Sequence, residues 1–191
     1  MFCLVEDEYI NQDNTNINIH DCLTESDINI MFKDALKHNR RFQSSVYRIC
    51  QNIKLNDYKN KTIDEVIDMI NNKSKYYKGI GALSIYDISM SICRYYKLKL
   101  KKIYIIVQCK TGNTKGPYNA IIELGLESEL KFNRIIGTRE KLKLYTIEFD
   151  KVLERCSSDE FKELKKYIDE QDGDKCETFL CLWYNNHKKT E

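Results

Sequence analysis

The sequence predicts a mainly α-helical protein with a minor β element. The chain has 191 residues, of which 42% are hydrophobic and 31% charged, enough for one well-buried core. It contains one Pro and seven Gly, too few turn residues for an all-β sandwich or barrel. Apolar residues recur mostly at three- and four-residue spacing, which indicates amphipathic helices. We therefore expect a single compact α+β domain over residues 1–191.

The chain begins with an arm and two helices. Residues 1–24 are acidic and rich in Asn, which predicts a loop or extended arm. From Ser26 the apolar residues have helical spacing, and this helix should end near the basic residues 38–41, whose charge suits a helix C-terminus. A second helix is predicted around Val46 to Ile53.

Two further helices flank a turn that contains glycines. Thr62 and Glu65 have the spacing of a capping box, which predicts the start of a helix. After the turn at 77–84 a second helix is predicted, with Ser84 as its N-cap. Residues 62–97 thus form one unit of two helices joined by a short hairpin.

The C-terminal half mixes strands and helices. Residues 101–108 are rich in β-branched side chains and predict a strand, and Pro117 suits the first turn of the helix that follows. Residues 142–149 fit a strand or a helix. A helix capped by the serines at 157–158 and a buried terminal segment at 179–184 complete the chain.

Charge is strongly segregated along the chain. The net charge is +2. Residues 1–30 hold seven acidic and no basic residues, residues 31–120 hold eighteen basic and six acidic residues (a net +12), and residues 121–191 hold thirteen basic and sixteen acidic residues. A basic block of this size fits a polyanionic partner, although solvated helix faces are also often rich in Lys.

The sequence indicates a soluble, cytoplasmic protein that does not enter a membrane. Its opening residues lack a basic region followed by an apolar run, and no apolar stretch is long enough to span a bilayer. The eight Cys residues are scattered without a C-x-x-C pair, which predicts buried free thiols in a reducing compartment. Cys22 with His20 is a weak metal pair, so we predict no metal site and no cofactor.

Residues 77–84 (YKGIGALS) resemble the hairpin of the helix-hairpin-helix superfamily, which has Gly-hydrophobic-Gly between two short helices and Ser or Thr opening the second. Gly79 and Gly81 allow a positive φ and a close backbone approach, while Ile80 should turn inward. The resemblance covers residues 62–97. It implies that backbone N–H groups of the hairpin and of the following helix bind a nucleic-acid phosphate without reading the bases.

Nucleic acid, with DNA favoured over RNA, is therefore the predicted partner. The predicted nucleic-acid-binding residues are Lys73, Lys75, Lys78, Gly79, Ile80, Gly81, Ala82, Ser84 and Arg94. The basic members would extend the contact along the backbone. In the alternative, the hairpin is a tight turn without a ligand, and the acidic first thirty residues or residues 179–184 bind a protein partner.

The glycosylase branch of the superfamily implies a catalytic Lys and Asp that this sequence lacks. Leu83 occupies the Lys position, and residues 97–102 contain no carboxylate. Asp87 falls near the start of the second helix, where compensation of the helix dipole explains it. We therefore predict no catalytic residue, and a DNA-processing enzyme is the third alternative. The stretch GIGALSIYDISMSI is also similar to a group of uncharacterised bacterial proteins, which would make Tyr86 and Asp87 part of a shared pattern.

Two other features remain open. Several tyrosines are interleaved with the basic block and could stack on single-stranded bases or face the core; they are Tyr76, Tyr77, Tyr86, Tyr95, Tyr96 and Tyr104. Residues 110–116 superficially resemble a phosphate-binding loop, but the order of residues is wrong. We interpret them as a flexible turn in which Lys110 and Lys115 could add backbone contacts.

Overall fold

A computed structural model describes residues 23–98, 101–107, 116–138, 141–169 and 176–187. The fold is mainly α with a small sheet, as predicted. The described residues divide into two compact units. The helical unit contains residues 23–98 with 136–138 and 141, and the sheet unit contains the remainder. No helix in these ranges is long and apolar enough to cross a membrane.

The helical unit is built from five α-helices and two 3-10 helices within its described residues. They are α1 (Glu25–Met31), α2 (Lys33–His38), a 3-10 helix (Arg40–Phe42), α3 (Gln43–Gln51), a second 3-10 helix (Leu55–Tyr58), α4 (Ile63–Ser74) and α5 (Ala82–Tyr95). The single helix predicted from Ser26 is two helices, because the backbone leaves the helical region at Phe32. The capping box predicted at Thr62 and Glu65 is confirmed.

The predicted N-cap of α5 is wrong. The helix begins at Ala82 with Gly81 as its N-cap, and Ser84 lies inside the first turn. Gly81 already has the extended backbone of an N-cap, with φ −94° and ψ 175° in the β region. The hydroxyl of Ser84 instead accepts a hydrogen bond from Asn39 at 3.1 Å. The helix therefore starts two residues before the residue whose type best suits a cap.

Helix α5 is the centre of the helical unit. Every residue from Ser84 to Cys93 is buried, and α5 packs against α4 and α2. The hydroxyls of Ser89 and Ser91 donate to carbonyl oxygens one turn earlier, at 2.7 and 2.8 Å. These local bonds satisfy the polar groups that burial would otherwise penalise.

The sheet unit combines three described strands with four α-helices. They are β1 (Lys102–Val107), α6 (Gly116–Glu123), β2 (Lys131–Ile136), β3 (Leu142–Glu148), α7 (Phe149–Cys156), α8 (Lys162–Asp169) and α9 (Cys176–His187). The strand order is β1-β3-β2, and β1 pairs with β3 in antiparallel register. Ile103, Ile105 and Ile147 from the sheet share one core with residues of α6, α8 and α9.

Several local predictions for the second half are resolved by the fold. Residues 142–149 are mostly a strand, and residues 179–184 lie in α9, where Leu180 is buried but Leu182 is 51% exposed. Cys50, Cys93, Cys156 and Cys176 are buried free thiols, as predicted. Burial raises the pKa of the Cys50 thiol. Cys3, Cys22 and Cys109 lie outside the described residues.

Candidate nucleic-acid interface

Residues 75–81 form the hairpin between α4 and α5. Gly79 has φ +84°, a left-handed conformation that glycine adopts without strain. Ile80 is buried, as predicted. Gly81 has φ −94°, an ordinary value for any residue. Only one of the two hairpin glycines therefore uses the positive φ that the sequence pattern suggested for both.

The hairpin packs on the segment that follows α2. The Asn39 side-chain amide donates to the carbonyl oxygen of Gly79 at 3.0 Å. A Cβ added to Gly79 would come closer than 3.0 Å to three carbons of the Phe42 ring. A Cβ added to Gly81 would meet no atom of the described residues within 4 Å. The Gly79 side of the hairpin is thus covered by the protein, while the Gly81 side is open.

Exposed basic side chains surround this hairpin. We call Lys37, residues 39–42 and residues 75–81 together the hairpin face. Its basic residues are Lys37, Arg40, Arg41, Lys75 and Lys78, all exposed, and it contains no acidic residue. Within the described part of the chain, no ion pair involves any of these five residues. The face therefore carries uncompensated positive charge at the positive end of the α5 dipole.

Some of the predicted contact residues are buried, and others are exposed. Ile80, Ala82 and Ser84 are buried, so their side chains cannot contact a ligand, although the backbone around them lies at the open end of α5. Lys75 and Lys78 are on the hairpin face. Lys73, on the last turn of α4, donates through its Nζ to the carbonyl oxygen of Asn52 at 2.6 Å.

Arg94 does not join the hairpin. It lies thirteen residues after Gly81 on the same helix, about 20 Å along the axis at the rise of an α-helix. Its guanidinium donates to the Ser91 hydroxyl at 3.0 Å and lies 3.5 Å from a carboxylate oxygen of Asp34. Arg94 therefore pairs with Asp34 within the helical unit and does not lie at the hairpin; its contact with nucleic acid stays a prediction.

A His–Asp pair that the sequence did not reveal lies next to the hairpin face. The His38 Nδ1 atom is 2.9 Å from an Asp87 carboxylate oxygen, with the Asp87 side chain 3% exposed and the His38 side chain 45% exposed. The interpretation of Asp87 as a dipole partner at the start of the second helix is wrong, because Asp87 is buried and the first turn of α5 has no acidic residue. The hydrogen bond that Asp87 accepts from the His38 ring raises the pKa of His38, and burial of the ring opposes this increase.

Helices α2 and α5 meet in antiparallel orientation through polar contacts. In chain order along α2, the contacts are Asp34–Arg94, His38–Asp87 and Asn39–Ser84. A sequence signal for this contact exists, since Ser84, Asp87, Ser91 and Arg94 recur at three- and four-residue spacing in an otherwise apolar helix. Such a polar stripe indicates that a second polar helix faces it.

The tyrosines divide between core and surface. Tyr86 and Tyr104 are buried, whereas Tyr76, on the hairpin face, is 87% exposed. Tyr76 is thus free to meet solvent or a ligand with its ring. Lys110 and Lys115 lie outside the described residues, as do His20 and Cys22. Among the residues that are described, no group of three or more His, Cys, Asp or Glu could hold a metal ion.

No protein-family model, curated protein or solved structure matches this chain.

Proposed function

We propose that the hairpin face binds the sugar-phosphate backbone of nucleic acid without strong sequence preference. The observation that carries the proposal is a group of exposed basic side chains, without an ion pair among the described residues, around the open N-terminal end of α5. No side chain of the described residues caps this helix, so the first-turn N–H groups can donate to a phosphate oxygen at Gly81. Lys78, Arg40 and Arg41 supply charge for neighbouring phosphates.

The form of the hairpin supports the same mode of contact. Gly79 in the left-handed region and the inward Ile80 agree with the helix-hairpin-helix resemblance, and we extend that superfamily's backbone recognition to this unit. Backbone N–H groups and flexible cations bind phosphate oxygens and leave the base edges unread. The exposed ring of Tyr76 adds a stacking surface that any base of a single strand can use.

The protein-partner alternative has less support. It relies on the acidic first thirty residues, most of which lie outside the described residues, or on residues 179–184. In that second segment Leu180 belongs to the core of the sheet unit, and Leu182 is its large exposed apolar side chain. One exposed leucine is a small surface for a partner, so we favour nucleic acid.

A pair of variants at one residue tests the proposal. Gly81→Asp and Gly81→Asn both fit the open space around Gly81, and both residues are good N-caps, so both variants should fold. They differ by one negative charge at the phosphate position. In fluorescence anisotropy with a labelled strand at low salt, we expect Gly81→Asp to bind about tenfold more weakly than Gly81→Asn, a difference of about 1.4 kcal/mol. Equal binding by the two variants, or no binding by the wild-type protein, would overturn the proposal.

A further inference from the structure

The His38–Asp87 pair adjoins the hairpin face, and backbone binding alone gives it no role. Asn39 connects the two features, since its side chain donates both to Gly79 in the hairpin and to Ser84 in α5. Asp87 follows Ser84 by three residues, about 4.5 Å further along the helix axis. From Gly81 to Asp87 the distance along the axis is about 9 Å, which a short stretch of a nucleic-acid strand covers.

The pair has the arrangement of a general base. A buried carboxylate accepts from Nδ1 and fixes the ring, so that the neutral imidazole directs its lone pair through Nε2. The ring is half exposed, and its Nε2 atom has no hydrogen-bond partner among the described residues. Asp87 also raises the pKa of His38, which makes the ring a stronger base.

The hydroxyl group that this base deprotonates must belong to the ligand. Two serine hydroxyls are tied to the site by hydrogen bonds, and both are buried. Ser84 is 3% exposed and accepts from Asn39, and Ser91 is 2% exposed and donates to the carbonyl oxygen of Asp87. A ribose 2′-hydroxyl fits the requirement, because it is carried by the strand itself and adjoins the phosphorus atom that it would attack. DNA lacks this group.

We propose that the strand held on the hairpin face is RNA and that His38 acts as the general base that activates a ribose 2′-hydroxyl for cleavage of the adjacent phosphodiester. This proposal rests on the proposed function and names its substrate class and its reaction. His38 is the catalytic residue, and Asp87 is a positioning residue that acts through the imidazole.

The step balances with water as the source of one proton. The Nε2 atom takes the proton of the 2′-hydroxyl, and the 2′-oxygen forms a bond to phosphorus while the bond from phosphorus to the 5′-oxygen breaks. The leaving 5′-oxygen takes a proton from water, and protonated His38 returns its proton to the resulting hydroxide. The products are a 2′,3′-cyclic phosphate and a 5′-hydroxyl. Arg40 and Arg41 stabilise the negative charge that develops on the phosphate oxygens.

A chimeric substrate separates binding from chemistry. It is a labelled DNA strand that contains one ribonucleotide, compared with the all-DNA strand of the same sequence. We expect both strands to bind equally, and only the chimera to be cut, at the bond after the ribonucleotide, leaving a 2′,3′-cyclic phosphate. His38→Gln, purified in parallel, should cut at least about 100-fold more slowly while its dissociation constant changes by less than about threefold.

A pH profile tests the role of Asp87. The cleavage rate requires neutral His38, so it should rise with pH through the raised pKa of that residue. The charged groups that face His38 are Asp87 on α5 and Asp34 and Lys37 on its own helix α2; both carboxylates raise its pKa and Lys37 lowers it. Asp87→Asn should therefore move the rise to lower pH and lower the maximal rate. Should Asp87→Asn fail to fold, the partly exposed Asp34→Asn should give a smaller shift in the same direction.

The outcomes distinguish this inference from the function on which it rests. If the chimera binds and stays intact, or if His38→Gln cuts it as fast as the wild-type protein, the inference is overturned and backbone binding stands. Cleavage of the all-DNA strand also overturns it, because that strand has no 2′-hydroxyl. If neither strand binds, both the proposed function and the inference fall.

Discussion

Replacement of Gly79 by Ala should destabilise the helical unit far more than the same replacement at Gly81. At Gly79 the new Cβ would occupy space filled by the Phe42 ring, and the backbone has φ +84°. A left-handed conformation costs a residue with a side chain about 1–2 kcal/mol. Overpacking in a filled site costs about 1–3 kcal/mol more. Together they predict a loss of about 2–5 kcal/mol in the free energy of unfolding.

Gly81→Ala is the matched control. Gly81 has a negative φ and open space, so the substitution should change the free energy of unfolding by less than about 1 kcal/mol. Urea denaturation measures both changes. With a denaturant slope of about 2 kcal/mol per molar, Gly79→Ala should lower the midpoint by about 1–2.5 M.

A double variant identifies the Phe42 contribution. Phe42→Ala should remove the overpacking but not the backbone strain, so Gly79→Ala should cost about 1–3 kcal/mol less in that background. Equal midpoints for Gly79→Ala and Gly81→Ala, or the same cost of Gly79→Ala with and without Phe42, would refute the packing of the hairpin on residues 39–42.

Further predictions concern a buried hydroxyl and a titrating histidine. Among the described residues the buried Tyr58 hydroxyl has no hydrogen-bond partner, and burial raises its pKa to about 12. Tyr58→Phe should keep or raise the free energy of unfolding, by up to about 1 kcal/mol, measured by denaturation. Tyr96→Phe loses the hydrogen bond of 2.6 Å from the Tyr96 hydroxyl to the Leu55 carbonyl oxygen, and it should lower the free energy of unfolding by about 1 kcal/mol. A Tyr58→Phe variant less stable than Tyr96→Phe would contradict this account. Because the fold raises the pKa of His38 above 6.5, protonated His38 adds stability that is fully present below about pH 6.5 and is lost as pH rises through the folded-state pKa. His38→Gln should remove that decline from the pH dependence of the unfolding free energy, and an unchanged profile would show that His38 is not its source.

Features fixed by local sequence could be predicted. The capping box at Thr62, the apolar face of α4 and the strand in residues 102–107 each follow from neighbouring residues. The position of Pro117 in the first turn of α6 follows in the same way. Local spacing and residue type decide these elements, since their hydrogen bonds or apolar faces repeat over a few positions.

Features that depend on contacts between distant residues could not be predicted from the sequence. Ser84 has the residue type of an N-cap, but it lies inside the helix. Its hydroxyl accepts a hydrogen bond from Asn39, which is 45 positions earlier in the sequence. His38 and Asp87 are 49 residues apart, and no local pattern joins them. Strand β2 escaped prediction because it lies at an edge and leaves Phe132 and Ile135 exposed, so it lacks the regular alternation of a half-buried strand.

The salt dependence of binding tests the central claim, that the hairpin face binds a nucleic-acid backbone. The dissociation constant of a labelled single strand would be measured over a range of NaCl concentrations for the wild-type protein, for Arg40→Gln/Arg41→Gln, and for Lys131→Gln/Lys143→Gln, whose exposed lysines lie in the sheet unit. For each lost phosphate contact the slope of log K against log salt should fall by about 0.7. The account predicts a slope smaller by about 1.4 for the arginine variant and an unchanged slope for the lysine variant. Wild-type binding that does not vary with salt, or equal slopes for the wild-type protein and the arginine variant, would contradict it.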